Sequence, residues 1–198
     1  MWHKEMLEFK CMLCGDICCN FQHINDSPLV FPWEKRTLLE LGKRYDRKLV
    51  FKPYLGYEID NNIYAVVFYR WIINGKCPFL SEKGICTIHG KKPYSCKMFP
   101  LIIGIDDNTL RVSGACPWIT RYLEKIRNSD PSKVFRNEYK IAVKVFVIIK
   151  IIEEFAKSNG WKRIIFTSKE LERKNIIFVD IDSILNNIEK TIDYDDER

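Results

Sequence analysis

The feature that most constrains this chain is a dense run of cysteines near its start. Four thiols fall within nine residues, in the segment Cys11-Met12-Leu13-Cys14-Gly15-Asp16-Ile17-Cys18-Cys19. A C-x-x-C step brings two thiolates within reach of one metal ion, whose Zn–S bonds are about 2.3 Å long. Isolated cysteines are commonly small buried hydrophobic residues, but such a density indicates ligands. We therefore predict that Cys11, Cys14, Cys18 and Cys19 bind metal.

A second group of cysteines follows much later in the chain. It consists of Cys77, Cys86, Cys96 and Cys116, and no cysteine follows. Structural zinc sites and cubane iron–sulfur clusters each usually take four thiolates. Eight thiols therefore suffice for two centres, or for one centre and a redox or catalytic remainder. Because neighbouring side chains in an extended segment point to opposite sides, we expect Cys18 and Cys19 to divide between two sites.

The chain has no need of disulfides to compensate for a small core. Its 198 residues are 46% hydrophobic, which is enough for an ordinary hydrophobic core. The opening MWHKEMLEFK lacks the apolar run of a secretory signal, so we expect a cytoplasmic protein. In a reducing compartment, clustered cysteines favour metal or redox chemistry. The predicted cofactor is zinc or an iron–sulfur cluster.

Composition argues against two other classes of partner. The longest apolar stretch, residues 141–152, contains Lys144 and Lys150 and is shorter than the roughly 20 apolar residues that span a bilayer. The net charge of +6 arises from 32 basic and 26 acidic residues spread along the chain. This is not the basic stripe of a nucleic-acid-binding protein. We therefore expect no membrane span and no nucleic acid, and another protein as the partner.

The apolar patterns predict an α+β fold, with short strands and hairpins around a cysteine-ligated metal core and with flanking helices. Pro32 opens a predicted helix over about residues 32–46. Segments rich in β-branched and aromatic residues predict strands at 49–52, 56–60 and 63–73. A turn at Asp60-Asn61-Asn62 joins the last two. A second hairpin is predicted from 101–105 and 110–113, around Asp106-Asp107-Asn108.

The later part of the chain is predicted to be mainly helical. Helices are expected at 117–127 and at 132–158, and the second of these is apolar on more than one face. Short strands at 163–167 and 176–181, a helix at 183–191 and a disordered acidic tail follow. The turn formers Asn128-Ser129-Asp130-Pro131 suggest a boundary. We therefore predict a cysteine-cluster metal-binding domain at 1–128 and a C-terminal extension at 129–198.

Other chemistry receives little support from the residues. A radical S-adenosylmethionine site needs C-x-x-x-C-x-x-C, but Phe21 stands at the position of the third cysteine. A thioredoxin-type site is not favoured because no βαβ pattern precedes Cys11. Asp60, Asp106 and Asp107 stand where turns require Asp or Asn. Catalytic residues therefore remain unassigned.

The two cysteine blocks resemble the YkgJ-type cysteine-cluster proteins, which carry the CxxCxxCC zinc- or iron-chelating domain. The family opening F-x-C-x-x-C-G-x-C-C is similar to Phe9, Cys11, Cys14, Gly15, Cys18 and Cys19. The later block C-x-x-L…C-x-I-Y-x-x-R-P-x-x-C-x-x-F-P resembles Cys77, Leu80, Cys86, Ile88, Pro93, Cys96, Phe99 and Pro100. Cys116 resembles a further family cysteine, so the resemblance extends over about residues 9–120 and implies metal binding.

The chain departs from the family pattern at a few positions. One extra residue separates Gly15 from the Cys18-Cys19 pair, His89 replaces a tyrosine and Lys92 replaces an arginine. Because the family has no histidine there, His89 is expected to be a packed ring rather than a ligand.

The family leaves the activity open. Most members are known only as metal binders. Our first hypothesis is a metal-binding protein whose centre is structural or electron-handling. One branch resembles flagellin lysine N-methylases, which implies an S-adenosylmethionine-dependent protein lysine N-methylase as an alternative. No glycine-rich strand-to-helix turn supports this alternative, because Gly104 and Gly114 are isolated. A further alternative is a protein-interaction module in which the helix at 132–158 docks a partner and the metal is structural.

Overall fold

The computed structural model describes residues 7–173 and 175–185, and these residues form an α+β fold of short helices and small sheets. The predicted fold class is confirmed. Contacts divide the chain into two compact units. In the described residues, the first comprises 7–22 and 74–146, and the second comprises 23–73, 147–173 and 175–185. The domain boundary predicted after residue 128, which falls within the range 74–146, stays a prediction.

The first unit contains all eight cysteines and is built from short elements. Two small antiparallel sheets form it, β1 with β5 and β6 with β7. Its elements are α1 (Gly15–Cys18), β1 (Asn20–Phe21), β5 (Gly75–Lys76), α3 (Tyr94–Lys97), β6 (Leu101–Ile103), β7 (Leu110–Val112), α4 (Pro117–Arg127), α5 (Pro131–Val134) and the first part of α6 (Arg136–Ser158). The predicted second hairpin and the helix at 117–127 are confirmed by β6–β7 and α4.

The second unit is organised around a sheet with strand order β2-β4-β3-β8. β9 pairs in parallel with the N-terminal half of β4, whose other edge is occupied by β3. The elements are β2 (Leu29–Val30), α2 (Pro32–Arg44), β3 (Val50–Asp60), β4 (Ile63–Ile72), the rest of α6, β8 (Lys162–Ile165), α7 (Ser168–Leu171), β9 (Ile177–Asp180) and α8 (Ile181–Ile184). Nearly all of β4 is buried, so this strand is the centre of the unit.

β3 is one strand where the sequence predicted two. Pro53, which lies between the two predicted strands, cannot donate a ladder hydrogen bond. The strand continues because its register with β4 shifts between Pro53 and Leu55, as in a β-bulge. The predicted turn at Asp60-Asn61-Asn62 is confirmed, with Asn62 in the left-handed region at φ 60°. The bulge thus accommodates a proline without ending the pairing.

α2 begins where the sequence predicted it. Pro32 occupies the first helical turn, where its missing N–H costs no hydrogen bond. The Phe31 backbone N–H donates to the Glu34 carboxylate at 2.9 Å, which satisfies one donor at the helix start. The Phe31 and Trp33 rings stack with their centroids 4.4 Å apart. The helix therefore buries its first turn.

The long predicted helix is divided near its start. Phe135 has non-helical angles (φ −114°, ψ 51°) between α5 and α6. Asp130 caps α5 by accepting from the Ser132 backbone N–H at 2.9 Å. The prediction that the helix is apolar on more than one face is confirmed, because Val143 and Val147 are exposed whereas Ile148 is fully buried.

The last elements agree in type with the sequence patterns. β8 and β9 occupy the two predicted strand regions. Of the helix predicted at 183–191, the structure describes α8, which ends at Ile184; residues 186–191 and the acidic tail at 193–197 lie outside the described residues. No helix in the described part of the chain is long and apolar enough to cross a membrane.

Candidate metal centre

The first cysteine block is a tight turn followed by one helical turn. Leu13, between Cys11 and Cys14, adopts a left-handed conformation with φ 53°. The Ile17 backbone N–H donates to the Cys14 carbonyl at 2.9 Å. Cys11 is exposed, whereas Cys14 is half-buried. The first thiol of the block therefore lies at the surface, and the second is partly buried.

Cys18 and Cys19 lie close together. Cys18 ends α1, and its Sγ is 4.0 Å from the Sγ of Cys19. Cys18 and Cys19 were expected to divide between two sites because neighbouring side chains point to opposite sides of an extended segment, but Cys18 lies in a helical turn. Their division between two sites stays a prediction. At this separation both thiols can face one centre.

The two cysteine blocks are joined by backbone hydrogen bonds. β1 and β5 pair antiparallel, with Asn20 opposite Lys76 and Phe21 opposite Gly75. At the end of this pair, the Cys77 backbone N–H donates to the Cys19 carbonyl at 2.8 Å. Residues from distant parts of the sequence therefore lie side by side.

The segment after β5 folds back on itself. Leu80 forms an antiparallel bridge with Cys86. The Thr87 backbone N–H also donates to the Phe79 carbonyl at 2.8 Å. This small loop brings Cys86 back towards Cys77, and both are half-buried.

Cys96 and Cys116 occupy helix positions. Cys96 lies in α3 and is half-buried, whereas Cys116 precedes the first turn of α4 and is only 5% exposed. Trp118, two residues later, packs edge-on against Phe9 with the ring centroids 5.1 Å apart. The aromatic residue that opens the first block thus contacts the helix that follows Cys116.

Electrostatic interactions connect these cysteines. Burial raises the pKa of the Cys14 thiol, and the negative charges of Cys18, Cys116 and Cys11 raise it further. Burial raises the pKa of Cys77 to about 11, partly opposed by a hydrogen bond from the Phe79 backbone, with further contributions from Cys86 and Cys18. Cys18 therefore interacts with Cys14 of the first cysteine block and with Cys77 of the second.

Cys18 experiences the strongest of these interactions. Its hydrogen bond with Cys19 raises the pKa of its thiol, and burial adds to the effect. The positive charge of Lys92 acts in the opposite direction. Thiolates gathered in this way repel each other, and a bound cation relieves such repulsion.

A comparison with protein families identifies the chain. The CxxCxxCC model, described as "Putative zinc- or iron-chelating domain", matches residues 10–117, which is more than half of the chain. The chain belongs to the CxxCxxCC family. The suspected family is therefore confirmed, as is its description as zinc- or iron-chelating. No curated protein and no solved structure matches the chain.

The residues of this CxxCxxCC domain fit the group that the family binds. Thiolates are soft ligands that suit zinc and iron–sulfur clusters. Within the described residues, no three His, Cys, Asp or Glu side chains stand close enough to hold a metal ion without adjustment. All eight thiols lie in the first unit, and a shared metal ion would require them to come closer together.

Two residues of the CxxCxxCC domain, His89 and Asp107, were assigned other roles from the sequence. His89 is exposed, so the expectation of a packed ring is wrong. Asp107 does act as a turn residue, because its carboxylate accepts from the Thr109 backbone N–H at 3.1 Å and from the Thr109 hydroxyl at 2.8 Å. These bonds hold the pKa of Asp107 below its usual range.

Glu138, whose carboxyl interacts with Lys92, was not singled out by any sequence pattern. Glu138 on α6 is half-buried; burial raises the pKa of its carboxyl, and Lys92 partly opposes this effect. Lys92 therefore influences both Cys18 and Glu138. A single glutamate in a helix pattern offers no signal of such a location.

Proposed function

We propose that the chain is a metalloprotein in which thiols of both cysteine blocks bind zinc or an iron–sulfur cluster. The proposed ligands are Cys11, Cys14, Cys18, Cys19, Cys77, Cys86, Cys96 and Cys116. The observation that carries the proposal is the 2.8 Å hydrogen bond from the Cys77 N–H to the Cys19 carbonyl, because it joins the two blocks. A zinc ion there would hold the fold, and an iron–sulfur cluster could in addition accept and donate electrons.

The surroundings of the thiols support this function. The positive charge of Lys92 offsets a small part of the rise in the pKa of Cys18, and a nearby cation is a feature of sites that bind thiolates. Trp118 is 6% exposed and contacts Phe9, which restricts water near Cys116. We expect the protein to act with another protein, because its mild and distributed charge does not favour nucleic acid. Clustered thiols that serve as metal ligands suit a reducing compartment such as the cytoplasm.

The experiment is anaerobic purification followed by metal analysis and a visible spectrum. Absorbance near 400 nm with iron indicates an iron–sulfur cluster, whereas a colourless protein with stoichiometric zinc indicates a structural centre. Cys18→Ser and Cys77→Ser should lower the metal content, and Met12→Leu, an exposed change within the first block, should not. Freely titrating thiols without either metal would overturn the proposal.

The methyl-transfer alternative stays a prediction. Calorimetric titration of the metal-loaded protein with S-adenosylmethionine tests it, and the absence of a binding isotherm would remove it.

A further inference from the structure

Arg70 in the second unit is a buried cation. It lies on β4, opposite Leu29 of β2 on one side and Lys52 of β3 on the other. Its exposed fraction is 9%. A buried guanidinium is ordinarily paired with an anion, because removing an uncompensated charge from water is costly.

One nitrogen of Arg70 is fully used by the protein. Nη1 donates to the carbonyls of Asn25 at 2.7 Å, Ile24 at 3.2 Å and Ser27 at 3.3 Å. It carries two N–H groups, so one of them is shared between carbonyls. The Tyr54 ring covers a face of the guanidinium, with its centroid 4.2 Å from Cζ. These contacts fix the orientation of the group.

The other edge of the guanidinium remains available. Nε and Nη2 make no hydrogen bond to any residue that the structure describes, and Arg70 forms no ion pair there. Asp26, in the same turn as the three carbonyls, is exposed and likewise forms no ion pair within the described residues. The Nε–Nη2 edge presents two parallel N–H groups, which match two oxygens of a carboxylate or phosphate.

A second positively charged residue lies opposite Arg70 on the neighbouring strand. Lys52 is directly opposite Arg70 in the register of β3 and β4, so both side chains project from the same face. Like charges in this position destabilise a sheet. Lys52 is exposed and has no carboxylate partner among residues 7–173 and 175–185. An anion held between the two cations removes this repulsion.

We propose that Arg70 and Lys52 form a binding site for an oxyanion, a carboxylate or a phosphate group, in the second unit. Arg70 holds two oxygens through Nε and Nη2, and Lys52 adds a point charge from the opposite strand. The turn does not depend on Arg70 alone, because the Ser27 hydroxyl donates to the Ile73 carbonyl at 3.1 Å. Arg70 and Lys52 belong to the second unit, whereas all eight cysteines belong to the first.

The test is an NMR titration of the full-length, ¹⁵N-labelled chain. The Arg70 Nε–H resonance is assigned by its loss in Arg70→Lys, and inorganic phosphate or acetate is added while chloride keeps the ionic strength constant. We expect a saturable shift with one or both anions. Saturation by phosphate alone identifies a phosphate group as the ligand, and saturation by acetate alone identifies a carboxylate.

Lys52→Met decides the proposal even if Arg70→Lys loosens the turn, because it leaves every Arg70 hydrogen bond in place. It should weaken the anion affinity about threefold to fivefold, as expected for one partly exposed charge pair. Lys43→Met, an exposed change at the end of α2, is the control and should bind as the parent does. Equal binding by both variants would overturn the proposed role of Lys52, and the absence of a saturable shift, or a shift that chloride reproduces, would show that Arg70 only clamps the turn.

Discussion

Cys18 interacts electrostatically with thiols of both cysteine blocks. Its charge interacts with those of Cys14, Cys19 and Cys77, which come from both cysteine blocks. The spacing of the first block predicted four donors but not this role. The role depends on α1, which turns Cys18 towards Cys19, and a four-residue helix has too few residues for a periodic pattern.

The raised thiol pKa values predict that metal binding releases protons. With the pKa of Cys77 raised to about 11 and that of Cys14 also raised, these thiols are protonated at pH 7 and must lose their protons to ligate. Zn²⁺ binding to the metal-free chain should release about one proton per ligating thiol, and affinity should fall as pH falls. Calorimetry in buffers of different ionisation enthalpy measures this release; a heat independent of the buffer would contradict it.

Tyr69 provides a prediction in the second unit. Its hydroxyl donates to the Asp180 carboxylate at 2.5 Å, and the Lys35 Nζ lies 3.4 Å from the centroid of its ring. Burial lowers the pKa of Lys35, while Asp180 partly restores it. Tyr69→Phe leaves the carboxylate without this donor and should cost about 1–3 kcal/mol in the free energy of unfolding.

Tyr69 also predicts that the free energy of unfolding depends on pH. Burial and the Asp180 bond raise the pKa of Tyr69 in the folded state above the ordinary value of about 10. Its stabilising contribution is therefore complete below about pH 10 and declines as pH rises further. Urea unfolding at pH 8 and pH 10.5 should show a smaller loss in Tyr69→Phe than in the parent. Tyr139→Phe is the control, and an identical loss in all three proteins would refute the assignment.

At the scale of elements, patterns confined to one segment were predictable. α2 follows from Pro32 and its apolar spacing, and the turn at Asp60 follows from turn chemistry. The division of the long helix at Phe135 was not predictable, because its cause is packing. Phe135 is fully buried and contacts the ring of Phe9. A contact between residues so distant in the sequence produces no local sequence pattern.

The pairing that joins the cysteine blocks was also beyond sequence patterns. β1 and β5 have two residues each, which is shorter than any alternation of polar and apolar residues. The donor types were therefore predictable, whereas the arrangement that gathers them was not.

Gly75 tests the importance of this pairing. It lies opposite Phe21 and has φ 81°, which is strained for any residue with a Cβ. Gly75→Ala should cost about 1–2 kcal/mol in unfolding free energy and reduce the metal content. Gly90→Ala is matched, because an added Cβ meets nothing within 4 Å at either position and Gly90 lacks a positive φ. Equal effects on metal content would separate β1–β5 pairing from metal binding.

At the scale of the whole molecule, the two units should respond differently to metal removal. All proposed ligands belong to the first unit, while the buried strand β4 belongs to the second. Treatment with a chelator should increase amide hydrogen exchange in 9–22 and 74–127 and change that of β3 and β4 little. Exchange followed by mass spectrometry measures the difference, and uniform loss of protection would show that the metal supports both units equally.

The partners of β4 determine the order in which its edges can pair during synthesis. Its partners include β2, which is synthesised before it, and β9, which is synthesised more than a hundred residues later. On the ribosome, the hairpin of β3 and β4 can form early, since its contacts are local. The edge of β4 that β9 pairs with must wait until residues 177–180 emerge. A nascent chain therefore has an unpaired, apolar strand edge for most of its synthesis. During this interval it is most prone to aggregate or to bind chaperones.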